Sequence, residues 1–274
     1  MKLKNPISGT LLCISLGGIF ISPNIQGAAN LTGYQIMKNQ KDIQKSKTEF
    51  EEQTMMLVDA KKNKTTRIVR SWVKEVGADI HKGLLVFMAP NDIKGTALLT
   101  WQNKAKDDDQ WFFESARRGQ MQRISEGSKQ NYFMGTDYTY EDLQSEELDD
   151  YTYNRLADAN LEGQACYVVV AIPKTKTKKN ETGYSQRILW INQAHFYTIR
   201  VDFYDKNTNK LWKTQLSRKY QQVSGYKWRP MENMIINYKL DHKTYVLINK
   251  RVLDVPMDDT RFTDRFILKG SHIE

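Results

Sequence analysis

The sequence predicts a mainly β protein with a minor helical share (α+β), its strands forming one curled antiparallel sheet with helices plugging the concave side. Strand-like runs recur from Phe50 to Val252, separated by short polar turns. Neighbouring runs lie close enough in sequence to pair as meanders, which makes the sheet antiparallel. Met55-Met56-Leu57-Val58, Gly83 to Ala89 and Ala97 to Leu99 are apolar on both parities, the pattern of strands covered on both faces.

Each element has a local signal. Thr32 to Lys47 predicts a helix, capped by Thr32, with Tyr34, Met37 and Ile43 as a sparse apolar stripe; it is the natural lid of the sheet. A strand over Phe50 to Ala60 ends in the lysine-rich turn Lys61 to Lys64. In Thr65 to Val76, Ile68, Trp72 and Val76 share one parity, and Val69 and Val73 the other. Gly77-Ala78-Asp79 turns the chain into His81 to Ala89, which Pro90-Asn91-Asp92 closes. Strands are expected at Thr96 to Gln102, Gln110 to Ser115 and Gln120 to Ile124. Ser125 to Gly135 is polar and irregular, and Asp137 is placed to cap a short helix through Tyr140 and Leu143. Strands resume at Tyr153 to Ala159, Ala165 to Pro173, Arg187 to Asn192, Phe196 to Tyr204, Leu211 to Tyr220, Met231 to Tyr238 and Thr244 to Val252. Lys174 to Lys179 reads as a hairpin loop of solvated lysines and Asp205 to Asn209 as a turn. Asp258 to Leu268 is expected as a short helix or a closing strand.

The first residues have the make-up of an export signal. Lys2 and Lys4 form a basic start, Ile7 to Ile21 is mostly apolar or small, and Gly27-Ala28-Ala29 supplies small residues for a peptidase, with the cut expected after Ala29. Ser15, Gly17, Gly18 and Pro23 break the apolar run, whereas a spanning helix needs roughly 20 mainly apolar residues. Leu12 precedes Cys13 where a lipoprotein signal has a small residue. The expected division is therefore a leader, 1–29, and one secreted, soluble domain, 30–274, with no linker inside it. Loss of Lys2 and Lys4 lowers the net charge from +9 to about +7. That excess suits anionic head groups or plain solubility. Nucleic acid is not an expected partner, because no binding module is recognisable. Cys166, left alone after cleavage, lies in an apolar strand and reads as a buried structural thiol.

Catalytic patterns are missing from the sequence. It has no Gly-x-Ser-x-Gly elbow, no His-Glu-x-x-His and no glycine-rich loop before a helix. His81, His195, His242 and His272 are far apart, and no Cys/His pair has metal-ligand spacing. Asp107-Asp108-Asp109 lacks the alternating oxygen ligands of a calcium loop. The acidic pairs from Glu141 to Asp150 read as an exposed face. No enzyme, metal or cofactor is expected. What the chain offers is deformable apolar bulk: Met55, Met56, Met88, Met121, Met134, Met231 and Met234 in or beside strands, with Trp72, Trp101, Trp111 and Trp190. Methionine adapts to irregular apolar shapes, which suits a pocket for acyl chains as well as an ordinary core.

One stretch carries a resemblance. Gly-Thr-Ala-Leu-Leu-Thr-Trp (Gly95 to Trp101), Asp-Asp-Asp-Gln-Trp-Phe-Phe (Asp107 to Phe113), Ala-Arg-Arg-Gly-Gln-Met-Gln-Arg-Ile (Ala116 to Ile124) and Phe-Met-Gly-Thr-Asp-Tyr-Thr-Tyr-Glu-Asp-Leu (Phe133 to Leu143) follow one another in that order. Together they resemble the periplasmic outer-membrane lipoprotein-sorting proteins, relatives of the LolA and LolB carriers. Pro90 to Gly95, Trp228-Arg229-Pro230-Met231 and Phe262-Thr263-Asp264-Arg265 also fit that family's pattern. The resemblance implies a LolA-like incomplete β-barrel with a helical cover, in a Gram-negative periplasm reached through a cleaved signal peptide. It implies a carrier that shuttles a lipid or lipoprotein, held by its acyl chains, toward the outer membrane. An inner-membrane exporter of the resistance-nodulation-division (RND/MMPL) type is the implied partner, with transient contact with a membrane surface. Candidate cavity residues are Met56, Trp72, Phe87, Leu99, Trp101, Phe113, Met121, Trp190 and Met234. Arg117, Arg118 and Arg123 are candidates for a head group or acidic partner. The alternative function is a non-carrier accessory that docks on an envelope transport complex through the acidic segment and the lysine loop.

Overall fold

The computed structural model describes residues 31–77, 79–103, 108–116 and 119–274; the expected leader lies outside them. The first helix, α1 (Gly33–Gln44), starts where Thr32 accepts the Gln35 N–H at 3.2 Å and Gln35 returns the bond to the Thr32 N–H at 2.9 Å. This reciprocal cap satisfies two backbone donors that a helix start otherwise leaves open. Strands β1 (Thr48–Val58), β2 (Lys64–Gly77), β3 (Ile80–Ala89), β4 (Ala97–Trp101), β5 (Asp109–Phe113) and β6 (Met121–Arg123) follow. After an irregular stretch come β7 (Tyr151–Arg155), β8 (Ala159–Leu161), β9 (Gln164–Pro173), α2 (Lys176–Glu181), β10 (Tyr184–Asn192), β11 (Thr198–Asp205) and β12 (Leu211–Arg218). The chain ends with β13 (Gln221–Ser224), β14 (Lys227–Arg229), β15 (Glu232–Asn237), β16 (His242–Leu253) and α3 (Asp264–Leu268).

Fourteen strands make one antiparallel sheet in the order β6-β5-β4-β3-β2-β1-β16-β15-β12-β11-β10-β9-β7, with β8 also on β9, and β13 and β14 pair separately. The sheet is open: β6 and β7 end it without pairing with each other. It is two meanders rather than one. The long β1–β16 ladder, from Glu49 opposite Leu253 to Val58 opposite Lys243, joins them.

Register and burial define two faces. On the inner face, Met55, Val69, Phe87, Leu98, Val246 and Ile248 are buried under the segment that carries Phe133. Further along the same face, Ile36 and Met37 of α1 pack on Tyr151, Tyr153, Tyr167 and Ile191. Burying each such side chain is worth about 1.5–3 kcal/mol. The outer face is covered only towards its flanks. Phe262 and Ile267, from the C-terminal segment, close over Trp72, Leu84, Val86, Leu99 and Phe113. Trp228 of the β13–β14 hairpin packs with Cys166, Tyr197 and Ile199. Between these flanks Leu247 stays 47% exposed.

Three expectations are corrected. The helical lid covers half of the inner face; the rest lies under non-helical chain, Tyr132 to Leu143. The lysine cluster forms α2, not a plain loop, because Thr175 caps it through the Lys178 N–H at 3.1 Å. Asp137 does not cap the turn after it. Its carboxylate is buried and accepts from Thr244 at 2.7 Å and Asn237 at 3.0 Å, while Asp142 accepts the Thr139 N–H at 2.6 Å. Of the two alternatives for the C-terminus the helical one is found, as a 3-10 turn, Asp259–Phe262, and α3.

Candidate functional site

The covering segment is built to sit on the sheet. Phe133 donates its N–H to the Tyr138 carbonyl at 2.7 Å, and Met134 and Gly135 take φ of 50° and 72° to tighten the loop between them. Glycine bears such a φ without cost. Phe133 stacks on Phe87 with ring centres 5.6 Å apart and meets Tyr140 edge-on at 5.5 Å. Arg67 reaches under the segment and donates to the Met134 carbonyl at 2.6 Å.

Beneath this segment lies a cavity of about 220 Å³. Its apolar wall is Met55, Leu85, Leu98, Phe133, Leu143 and Val246; its polar wall is Gln53, Ser71, Thr100, Tyr138 and Asn233. None of the residues that line it is charged. Val73, 39% exposed, marks its opening at the end of the strands that also holds Glu49. Charge is present nearby but already matched: Arg251 donates to Glu51 at 2.6 Å and contacts Glu49 at 3.2 Å, and Arg229 contacts Glu49 at 3.1 Å. Burial raises the Tyr138 phenol far above its ordinary value, so it remains an O–H donor.

A second, larger void of about 370 Å³ lies on the outer face between the two flanking covers. Register places Thr66, Met56, Tyr245, Met234 and Leu216 in one row across β2, β1, β16, β15 and β12, and this row is its floor. Arg218 and Glu232 stand at its side.

The sequence-derived candidates are distributed over four places. Met56 and Met234 share the outer groove. Trp72, Leu99, Trp101, Phe113 and Met121 come together in the outer cluster under Phe262 and Ile267, where Trp101 donates to the Phe262 carbonyl at 2.9 Å. Trp190 packs with Cys166 and Tyr197, beneath the Arg200 guanidinium. Phe87 faces inward, fully buried against Phe133. Arg123 is paired with Asp109 at 2.9 Å, and Arg117 and Arg118 lie outside the described residues. Sequence reasoning missed Gln53, Ser71, Tyr138 and Asn233. The first two had a signal: each is a polar residue on the parity of buried Met55 or Val69.

Among the described residues, no group of three or more His, Cys, Asp or Glu is arranged to hold a metal, and no helix is long and apolar enough to cross a membrane. The acidic segment is tied into its surroundings: Glu141 pairs with Lys178 at 3.6 Å, Glu146 with Arg187, and Asp150 accepts from Thr175 at 3.3 Å.

A family model described as "Uncharacterized protein" matches residues 79–269. A comparison with curated protein sequences gives no match. Among solved structures, the chain is similar to a domain from Vibrio parahaemolyticus named for outer membrane lipoprotein sorting, with a TM-score of 0.80, 29% identity, and coverage of 86% of this chain and 98% of that one. A DUF1329 family protein from Desulfovibrio piger matches with a TM-score of 0.81 and 26% identity over 86% and 97% of the two chains. A LolA superfamily protein from Nitrosomonas europaea has the same fold, with a TM-score of 0.68 and 16% identity over 86% and 100%. The open sheet with its inner cover is therefore a LolA-like fold, shared with the domain named for lipoprotein sorting and with the LolA superfamily protein.

Proposed function

This chain belongs to the family whose model spans residues 79–269, and from that premise we propose that it is a periplasmic carrier that holds lipid acyl chains on the inner face of its sheet. The observation that carries the reading is the uncharged, mostly apolar cavity roofed by residues 132–143. Each methylene buried there would contribute about 0.8 kcal/mol, so chain length alone gives useful affinity. The cavity is smaller than the roughly 300–1,000 Å³ of typical small-molecule sites, so a full chain enters by displacing the roof. The relative named for lipoprotein sorting supports cargo transfer toward the outer membrane. In this reading residues 1–29 are the cleaved export signal, 30–274 the carrier domain, and an RND-type inner-membrane exporter the donor.

Mass spectrometry of lipids extracted from protein purified out of the periplasm without detergent tests this. A stoichiometric acyl-chain species is expected. A photoactivatable fatty acid should label Phe133, Tyr138 or Leu143. Labelling confined to Met56 and Met234 would move the site to the outer groove, and empty protein that takes up no probe would favour the docking accessory. The internal pairing of Glu141 and Glu146 weighs against that accessory, because it ties down part of the acidic face on which docking would depend.

A further inference from the structure

We infer that the inner cavity selects a lipid whose polar end is uncharged and carries hydroxyl or carbonyl oxygens, such as a monoacylglycerol, over one whose end is an anionic phosphate or carboxylate. This rests on the carrier reading and narrows its cargo. Among the described residues, the Ser71 and Tyr138 hydroxyls and the Asn233 Nδ2 meet no protein hydrogen-bond partner, although all three residues line the cavity. Asn233 Oδ1 is used, accepting from Ser217 at 2.7 Å. Gln53 donates its amide to Glu51 at 2.5 Å, which leaves its carbonyl oxygen towards the same space. The wall thus offers three donor groups and an amide acceptor, all neutral, beside apolar Met55, Leu85 and Leu98. An ester carbonyl or a hydroxyl satisfies such groups; hydrocarbon alone leaves them unmatched.

A buried anion needs a cation, and none lines the cavity. Arg251 and Arg229 are held by Glu49 and Glu51, the carboxylates that an incoming anion would have to displace or face. Arg67 is turned under the roof onto the Met134 carbonyl and the Phe87 ring. Desolvating a phosphate without a matched charge costs several kcal/mol, more than the acyl chain's first few methylenes return.

The test is competition for a bound apolar fluorophore, 1-N-phenylnaphthylamine, by monoolein, oleate at pH 8 and lyso-oleoylphosphatidylglycerol, which share one acyl chain. Monoolein is expected to displace the probe at a concentration at least about tenfold lower than either anion. Tyr138→Phe and Ser71→Ala should each shrink that ratio, monoolein losing more affinity than the two anions. Equal or tighter competition by the anionic lipids overturns the inference while leaving the carrier reading intact. A wild-type ratio retained in both variants overturns the assigned residues. Failure of the probe and of all three lipids to bind overturns the carrier reading, and the inference with it.

Discussion

At Gly33 a Cβ would lie 2.6 Å from the carbonyl oxygen and 2.8 Å from the carbonyl carbon of Tyr153, so α1 approaches β7 more closely than any side chain allows. The obstacle is backbone within a sheet and cannot rotate away. Gly33→Ala is expected to destabilise the protein by about 1–3 kcal/mol through overpacking, read as a lower thermal midpoint with unchanged strand content by circular dichroism. His272 makes a second residue-scale case. It is buried beside Phe113, its Nε2 donates to the Gly95 carbonyl at 2.8 Å, and burial pushes its pKa below the ordinary imidazole value. The unfolded chain therefore binds the proton more readily, so the stabilisation is complete above about pH 6.5 and fades as the pH falls below it. The protection of residues 258–274 against hydrogen exchange, relative to the intrinsic rate at each pH, should fall between pH 7.5 and pH 5, more than elsewhere in the chain. Replacing His272 with Gln should remove that difference.

The elements show what can be read from sequence and what cannot. The helix at Thr32, the parities of Ile68, Trp72 and Val69, and the turn at Asp205 follow from local chemistry. In that turn one carboxylate oxygen accepts from Asn207, Thr208 and the Thr208 hydroxyl. The resemblance supplied the LolA-like sheet. The roof was not legible, because residues 132–143 have no periodicity; their position depends on partners up to about a hundred residues away. Lys213, fully buried, donates to the Asp137 carbonyl at 3.0 Å and pairs with Asp142, and Tyr184 donates to Asp142 at 2.7 Å. His242 Nδ1 lies 2.7 Å from Asp137. These contacts bolt the roof to β10, β12, β15 and β16. For the same reason the sequence did not tell which face the methionines and tryptophans line: parity tells which residues share a face, not which face the distant segment covers. Thr244→Val removes one donor to a buried carboxylate and should cost about 1.5–3 kcal/mol. Under the carrier reading it should also speed the exchange of bound lipid in stopped-flow measurements, since the roof is held less firmly. A variant that loses stability but exchanges lipid at the wild-type rate would show that the roof does not gate the cavity.

For the molecule as a whole, an open sheet with a roof on one face and an exposed groove on the other offers two places for an apolar ligand, and the backbone of β1, β15 and β16 belongs to both. Protection of those strands therefore cannot separate the sites. The roof can, because Phe133, Tyr138 and Leu143 touch only the inner cavity. A ligand that binds the folded state alone stabilises it by about 2.7 kcal/mol at one hundred times its Kd, roughly 5–10 °C for a unit of this size. Calorimetry with monoolein should show that rise, and hydrogen exchange should change within residues 131–143 at the same ligand concentrations. A thermal shift without any change in the roof would assign the ligand to the outer row of Met56, Tyr245 and Met234. The roof would then be a fixed part of the core, held by Lys213 and Asp137 for stability rather than for passage of cargo.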